Sequence, residues 1–243
     1  MNDLTKQLTG AERDQSFPNR RPKDAATVIL VDRSGKTPKV LLGRRHHGHV
    51  FMPGKFVFPG GRLDNVDRLV KPSAALHKQV QKKLMGGVPK VSAERAQSLA
   101  LTAIRETFEE TGLLLGQKAK RPPVMPAGPW AEMGTLGYAP DLSGLHFIAR
   151  AITPPRRPRR FDTRFFSVDA SAVAHKVDGI VHAEAELVEL VWLPIAEARK
   201  LDLPTITGVV LQELEARVAA GFGHDLPVPF YRMLHGKFQR ALL

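Results

Sequence analysis

The side chains best suited to chemistry stand together in Arg105-Glu106-Thr107-Phe108-Glu109-Glu110-Thr111-Gly112-Leu113. On a helix, Glu106, Glu109 and Glu110 fall at i, i+3 and i+4, so three carboxylates share one face. They precede Gly112, the expected left-handed stop, and so occupy the helix end whose carbonyls already carry partial negative charge. Glu106 and Glu110 also repel each other by a few tenths of a kcal/mol. A helix that needed only solubility would carry Lys or Arg at that end. Three carboxylates make sense there when hard divalent cations such as Mg²⁺ sit on them.

Several elements must position that face. Upstream, Phe56-Val57-Phe58-Pro59-Gly60-Gly61-Arg62-Leu63-Asp64 reads as an apolar strand running into a Gly-Gly turn, where a backbone carbonyl can approach a ligand closely. Ser92 is the expected N-cap of a helix over 93–111. Along that helix Leu99, Ala103 and Phe108, with Leu101 and Ile104, supply apolar faces for a sheet. Strands are expected over 25–31 and 40–44, joined by the Ser34-Gly35-Lys36 turn. Further strands are expected over 113–115, 145–152, 160–168 and 185–193. Residues 117–129 read as a Pro- and Gly-rich loop, 130–137 as a short helix, and helices over 194–201 and 205–220 close the chain. Residues 1–22 read as a flexible arm. Strands and helices in both halves predict one α/β layered domain over 1–243.

Composition sets outer limits. A chain of 243 residues with 43% hydrophobic and 25% charged side chains can bury a proper core. No cysteine is present, which excludes disulfides, thiolate zinc sites and cysteine nucleophiles. No apolar run approaches the ~20 residues a bilayer demands. The N-terminus lacks the apolar core of a signal peptide, and Ala241-Leu242-Leu243 does not match the peroxisomal address. The expectation is a cytoplasmic protein without membrane association. The formal charge of +12 predicts attraction to polyanions. Its one dense block, Pro154-Pro155-Arg156-Arg157-Pro158-Arg159-Arg160, comes with no nucleic-acid-binding motif, which argues for a small phosphorylated partner over nucleic acid. His46, His47 and His49 lie within four residues, but neighbours in an extended loop point apart, so they read as a solvated loop.

Gly61 followed by the REtfEEtGL string resembles the signature of the Nudix hydrolases, G-x5-E-x7-R-E-U-x-E-E-x-G-U. Thr107 stands at a usually aliphatic position. Asp67 stands where the family has Glu six residues after the glycine, and residues 68–104 occupy a seven-residue spacing. Either the box carries an insertion, taken here as 65–98, or Gln97 holds the Glu position. The inserted stretch reads as a short amphipathic helix and a turn, serving as a lid, a flank or a tolerated surface addition. The fold implied is a mixed β-sheet sandwiched between helices, with a helical insertion inside the box. Phe51-Met52-Pro53-Gly54, the split box, Arg160-Phe161-Asp162-Thr163 and Leu203-Pro204-Thr205 are similar to the branch of the animal peroxisomal coenzyme A diphosphatases.

The resemblance implies metal-dependent hydrolysis of a nucleoside diphosphate linked to a second group. Coenzyme A or its acyl form, giving 3′,5′-ADP and 4′-phosphopantetheine, leads; ADP-ribose, NADH or another nucleotide is the alternative. It implies that Glu106, Glu109 and Glu110, with the Gly60 carbonyl, hold Mg²⁺ or Mn²⁺, and that Arg105 steadies the glutamates. Arg44, Arg45 or Arg62 would meet substrate phosphates, and Glu184, Glu186 or Glu189 are candidates for a distal base. A non-catalytic module that senses a nucleotide, and an enzyme acting on capped RNA, are the competing classes. Oligomeric state is open, a dimer included.

Overall fold

Residues 25–31 are apolar at nearly every position, as a strand covered on both faces must be. The computed structural model, which describes residues 3–48, 52–87 and 90–243, builds the molecule around that strand. His49 and Phe51, named in the histidine loop and the Phe-Met-Pro-Gly stretch, lie outside the described residues. In chain order the first half comprises α1 (Asp3–Gly10), β1 (Lys23–Asp32), β2 (Lys39–Arg45), β3 (Phe56–Val57), β4 (Gly60–Arg62), α2 (Lys78–Met85) and α3 (Ala93–Thr111). Then follow β5 (Leu113–Lys118), α4 (Pro129–Thr135), β6 (Tyr138–Pro140), β7 (His146–Ile152), β8 (Phe161–Asp169) and β9 (Val173–Lys176). The chain ends with β10 (Leu187–Pro194), α5 (Ile195–Ala198), α6 (Thr205–Ala219), β11 (Pro229–Leu234) and β12 (Lys237–Leu242).

The large sheet runs β10-β2-β1-β8-β7-β11-β12, with β3 on β2 and β4 on β1, and a smaller sheet runs β6-β5-β9. It is mixed: β1 lies antiparallel to β2 and parallel to β8. Successive side chains of β1 go to opposite faces. Ala26, Val28 and Leu30 join a core with Val80 and Leu84 of α2, Leu99 and Ile104 of α3, and Trp130 of α4. Ile29 and Val31 join a second core with Leu8 of α1, Ala198 of α5, and Val209 and Leu214 of α6. The sheet is therefore sandwiched between helices, as the α/β reading requires. No helix of the described residues is long and apolar enough to cross a membrane.

Local chemistry sets the limits of α3. Ser92 Oγ accepts from Arg95 N at 3.2 Å, and Gly112 ends the helix at φ 72°. Any Cβ on Gly112 would overlap the Val177 carbonyl, so the stop is steric as well as conformational. Beside the C-terminal half of α3, Gly60 and Gly61 pair with Thr27 and Ala26 of β1.

Two expectations need correction, and the alternatives for the inserted segment narrow. The arm over 1–22 begins with a helix, because Leu8 finds an apolar seat against α6 and Phe238 N donates to Thr9 Oγ1 at 3.0 Å. The chain closes with a hairpin, not with helices. His235 and Gly236, at φ 48° and 76°, form its two-residue turn, and both positive angles match the twist of the flanking strands. The inserted segment does not cover the glutamates. Its helix α2 packs Val80 and Leu84 into the core beside α3, while Lys83 Nζ donates to the carbonyls of His224, Asp225 and Leu226.

Next to that tie, His77, His224 and His146 stack with centroids 4.1 and 4.0 Å apart. Burial, followed by His224 and Arg217, pushes the His146 pKa down to about 3. A histidine whose folded pKa is depressed contributes stability above its unfolded value of ~6.5 and loses it as pH falls toward the folded value. The urea midpoint should therefore drop between pH 6.5 and pH 4, and His146→Phe should flatten that drop. Parallel wild-type and variant profiles in that window would refute this account.

Candidate active site

Arg105 sits on α3 with its side chain 7% exposed, and all five of its N–H groups are used. Nε and Nη2 form a fork onto Asp67 at 2.8 and 3.1 Å, and Nη2 also donates to the Arg62 carbonyl at 3.1 Å. Nη1 donates to Glu106 Oε1 at 2.9 Å and to Glu109 Oε2 at 2.8 Å. Burial works to lower the Arg105 pKa, but Asp67, Glu106 and Glu109 outweigh it and hold the group firmly cationic.

Asp67 is fully buried. Besides Arg105 it accepts from Thr102 Oγ1 at 2.7 Å, Trp130 Nε1 at 2.9 Å and Asp64 N at 3.1 Å. The side chain six residues after Gly61 is thus spent on the arginine and does not reach the carboxylate cleft. Gln97 lies two turns back along α3.

The glutamates divide their tasks. Glu110 is 6% exposed and its Oε2 accepts from Gly60 N at 3.0 Å. Glu106 lies directly against Gly61, where any Cβ would overlap its carboxyl group. Gly60, at φ 155° against Thr27 and the Ala26 carbonyl, has no room for a side chain either. Both glycines let the turn press onto the helix. Glu106 and Glu110 line a cleft of about 330 Å³, whereas Glu109 is turned to Arg105.

Three carboxylates, Glu106, Glu110 and Glu186, share the cleft with three arginines. Burial first, then Glu109 against the pull of Arg105, lifts the Glu106 pKa to about 7. Burial, then Glu186 and Glu106, raises Glu110 well above the carboxylate range, with Gly60 N–H and Arg45 offsetting only part. Glu109 is raised as well, by burial before any charge.

The remaining candidates separate by strand alternation. Arg45 lines the cleft and its Nη2 meets Glu186 Oε1 at 2.8 Å; its buried Nε has no partner. Arg44 points the other way and pairs with Glu189 at 2.8 Å. Glu184 is exposed. A register shift between Leu187 and Glu189 in β10 lets both pairs form. Arg62 borders the cleft, and so does Arg159 from the Pro-Arg block between β7 and β8. Arg159 went unnoticed because a dense basic block looks like a solvated surface.

Among the described residues no three acidic or histidine side chains form a ready-made metal cage. Mg²⁺ is commonly held by one or two carboxylates, with water and substrate oxygens in its other positions. The donor set fits such an ion: hard oxygens only, destabilised as anions, beside a backbone turn pressed close. Glu106 and Glu110, with Glu109 released from Arg105, would hold it.

No protein-family model matches the chain. Among solved structures, a NUDIX hydrolase from Alicyclobacillus acidocaldarius is similar at 29% identity, with 81% of this chain and 92% of that one covered and a TM-score of 0.58. A Nudix hydrolase from M. smegmatis, RenU, aligns at 17% identity over 82% and 87% of the two chains with a TM-score of 0.42. The NUDIX domain of Shewanella oneidensis NrtR complexed with ADP ribose aligns at 14% over 90% and 99%, with a TM-score of 0.44.

The raised carboxylates carry a testable sign. Groups whose folded pKa is raised contribute stability below the unfolded value of ~4.3 and lose it as pH rises through the folded value. Without metal, Glu110→Gln should therefore melt about 2–4 °C higher than wild type at pH 8, equivalent to ~1 kcal/mol, with the gap closing by pH 4.5. Mg²⁺ or Mn²⁺ should raise the wild-type Tm more at pH 8 than at pH 5.5, and barely move the variant. A variant that gains as much from metal as wild type would remove Glu110 from the ion.

Proposed function

We propose that this chain is a pyrophosphohydrolase of the Nudix superfamily that hydrolyses the diphosphate of a nucleoside derivative, with coenzyme A or an acyl-coenzyme A as the leading substrate. The observation that carries the reaction class is the set of buried, electrostatically stressed glutamates pressed on the Gly60-Gly61 turn. The similarity to the Alicyclobacillus enzyme at 29% identity supports it. A divalent ion held there would supply positive charge for the phosphoryl oxygens and lower the pKa of a bound water.

The chain's own groups do the rest. Glu106 and Glu110 would hold the ion, and Arg105 keeps Glu106 in place through Nη1. Arg45 offers its unpartnered Nε, and Arg62 and Arg159 their guanidinium groups, to the diphosphate oxygens. Glu186 is the distal carboxylate best placed to take the water proton, since it borders the cleft while Glu184 and Glu189 do not. Water oxygen bonds to one phosphorus, the anhydride P–O bond breaks, and the departing phosphate keeps the electron pair.

Coenzyme A leads for two reasons. The stretches around Met52-Pro53-Gly54 and Leu203-Pro204-Thr205 resemble that branch. A second recess of about 310 Å³, lined by Leu8, Met52, Phe165, Ile206 and Phe238 together with the charged Glu12, Arg13, Lys55 and Arg157, shares Met52, Phe165 and Ile206 with the cleft and gives the substrate's second group a place to lie.

Product identification in a metal-supplemented panel tests the substrate: 3′,5′-ADP and 4′-phosphopantetheine are expected, and faster turnover of ADP-ribose or NADH would displace coenzyme A. Glu186→Gln should lower kcat by about 10²–10⁴ with little change in KM. Glu184→Gln and Glu189→Gln should stay near wild type. Equal kcat in all three variants would return the base to the helix glutamates.

A further inference from the structure

A larger recess, of about 840 Å³, opens toward the other end of α3, between the start of β1, the β7–β8 connection and β11. Its walls carry eight Lys or Arg side chains against two carboxylates, Asp24 and Asp162. Both carboxylates are already engaged: Asp24 by Arg95 and Arg164, Asp162 by the fork of Arg150 and by Arg164. Arg164 is the telling member. It is 1% exposed and borders the recess, and its Nη1 donates to Asp24 and to the Asp162 carbonyl. Its Nε and Nη2 are buried with no hydrogen-bond partner.

Unsatisfied buried donors on a charged group are costly, and Arg164 adds them to the wall of a recess already crowded with cations, a setting that favours an anion. Arg62, Lys90 and Arg232 border the same space, and no ion pair engages them among the described residues. The first turn of α3 borders it too, through Arg95, adding the partial positive charge of its amide end. Guanidinium forks of this kind match the geometry of phosphate.

We propose that this recess is a second anion site, separate from the carboxylate cleft, which binds the phosphate monoester or polyphosphate group of a small ligand. Arg95 and Glu106 lie eleven residues apart on α3, ~16 Å along the axis, so one phosphate cannot serve both places. Arg62 borders both recesses and gives the two anions a shared neighbour. The site stands apart from the hydrolytic reading; only the assignment of its ligand as an outlying phosphate of the substrate rests on that reading.

Titration of the full chain with inorganic phosphate in excess chelator, followed by calorimetry or phosphorus NMR, tests the site without the metal. Saturable binding is expected in wild type and in Glu110→Gln, weakened at least fivefold in Lys90→Ala/Arg232→Ala. This pair is chosen because Arg164→Met would strip Asp24 and Asp162 of a buried partner and endanger the fold. Absence of saturable binding, equal binding in the double variant, or loss of binding in Glu110→Gln would each overturn the proposal. Coenzyme A and its 3′-dephospho form then separate the two sources of phosphate. A KM increase in the double variant confined to coenzyme A identifies the substrate's own phosphate. A change in the turnover of both by added phosphate, lost in the variant, identifies a free anion. Failure of the hydrolytic reading would appear as no turnover of either compound while metal-free phosphate binding persists.

Discussion

A single guanidinium holds this structure's chemistry in place. Arg105 is buried, permanently charged and satisfied at every N–H, bound on one edge to Asp67 and on the other to two glutamates. The Asp67 half is the rigid one, because that carboxylate is fully buried and locked by Thr102, Trp130 and Asp64 N. The glutamate half is less enclosed, with Glu106 and Glu109 side chains 16% and 30% exposed. One arginine thus gathers three carboxylates at close range. What remains uncompensated is Glu110, pinned by Gly60 N–H and pressed by Glu186 and Glu106.

The glycines follow from this arrangement. Two carboxylates can lie under the β4 turn only if nothing projects from it, and both Gly60 and Gly61 would collide with neighbours if given a Cβ. Sheet pairing to Ala26 and Thr27 holds the turn at that distance. Helix, turn and strand are thus mutually dependent: the strand positions the turn, the turn presses on the helix, and the helix supplies the charge.

How legible this was depended on the distance over which each feature is encoded. The bounds of α3 were readable because Ser92 and Gly112 act on their own helix, and the glutamate face because i, i+3, i+4 is a property of any helix. The strand β1 was readable from its nearly continuous apolar run, and β7 from its β-branched and aromatic content. The partnership of Asp67 with Arg105 was not, since 38 residues separate them and nothing in the residue types joins them. Likewise the choice among Glu184, Glu186 and Glu189 turned on a register shift in β10 that leaves no mark in residue types. The closing hairpin was hidden by prolines at 227 and 229, and α1 by its length: eight residues with one strongly buried leucine are stable only where a partner surface already exists.

The connection between β7 and β8 links all three recesses. Thr153 borders each of them, Arg159 faces the glutamate cleft, Arg157 the apolar recess and Arg160 the basic one. None of these residues belongs to α3 or to the Gly-Gly turn. The buried carboxylates and the cations of this arch are therefore supplied by separate pieces of chain, and a change in the length or charge of one short proline-stiffened arch would alter the walls of all three recesses without moving a residue of α3. Such a layout gives evolution one adjustable segment on which to diversify a family without rebuilding its machinery.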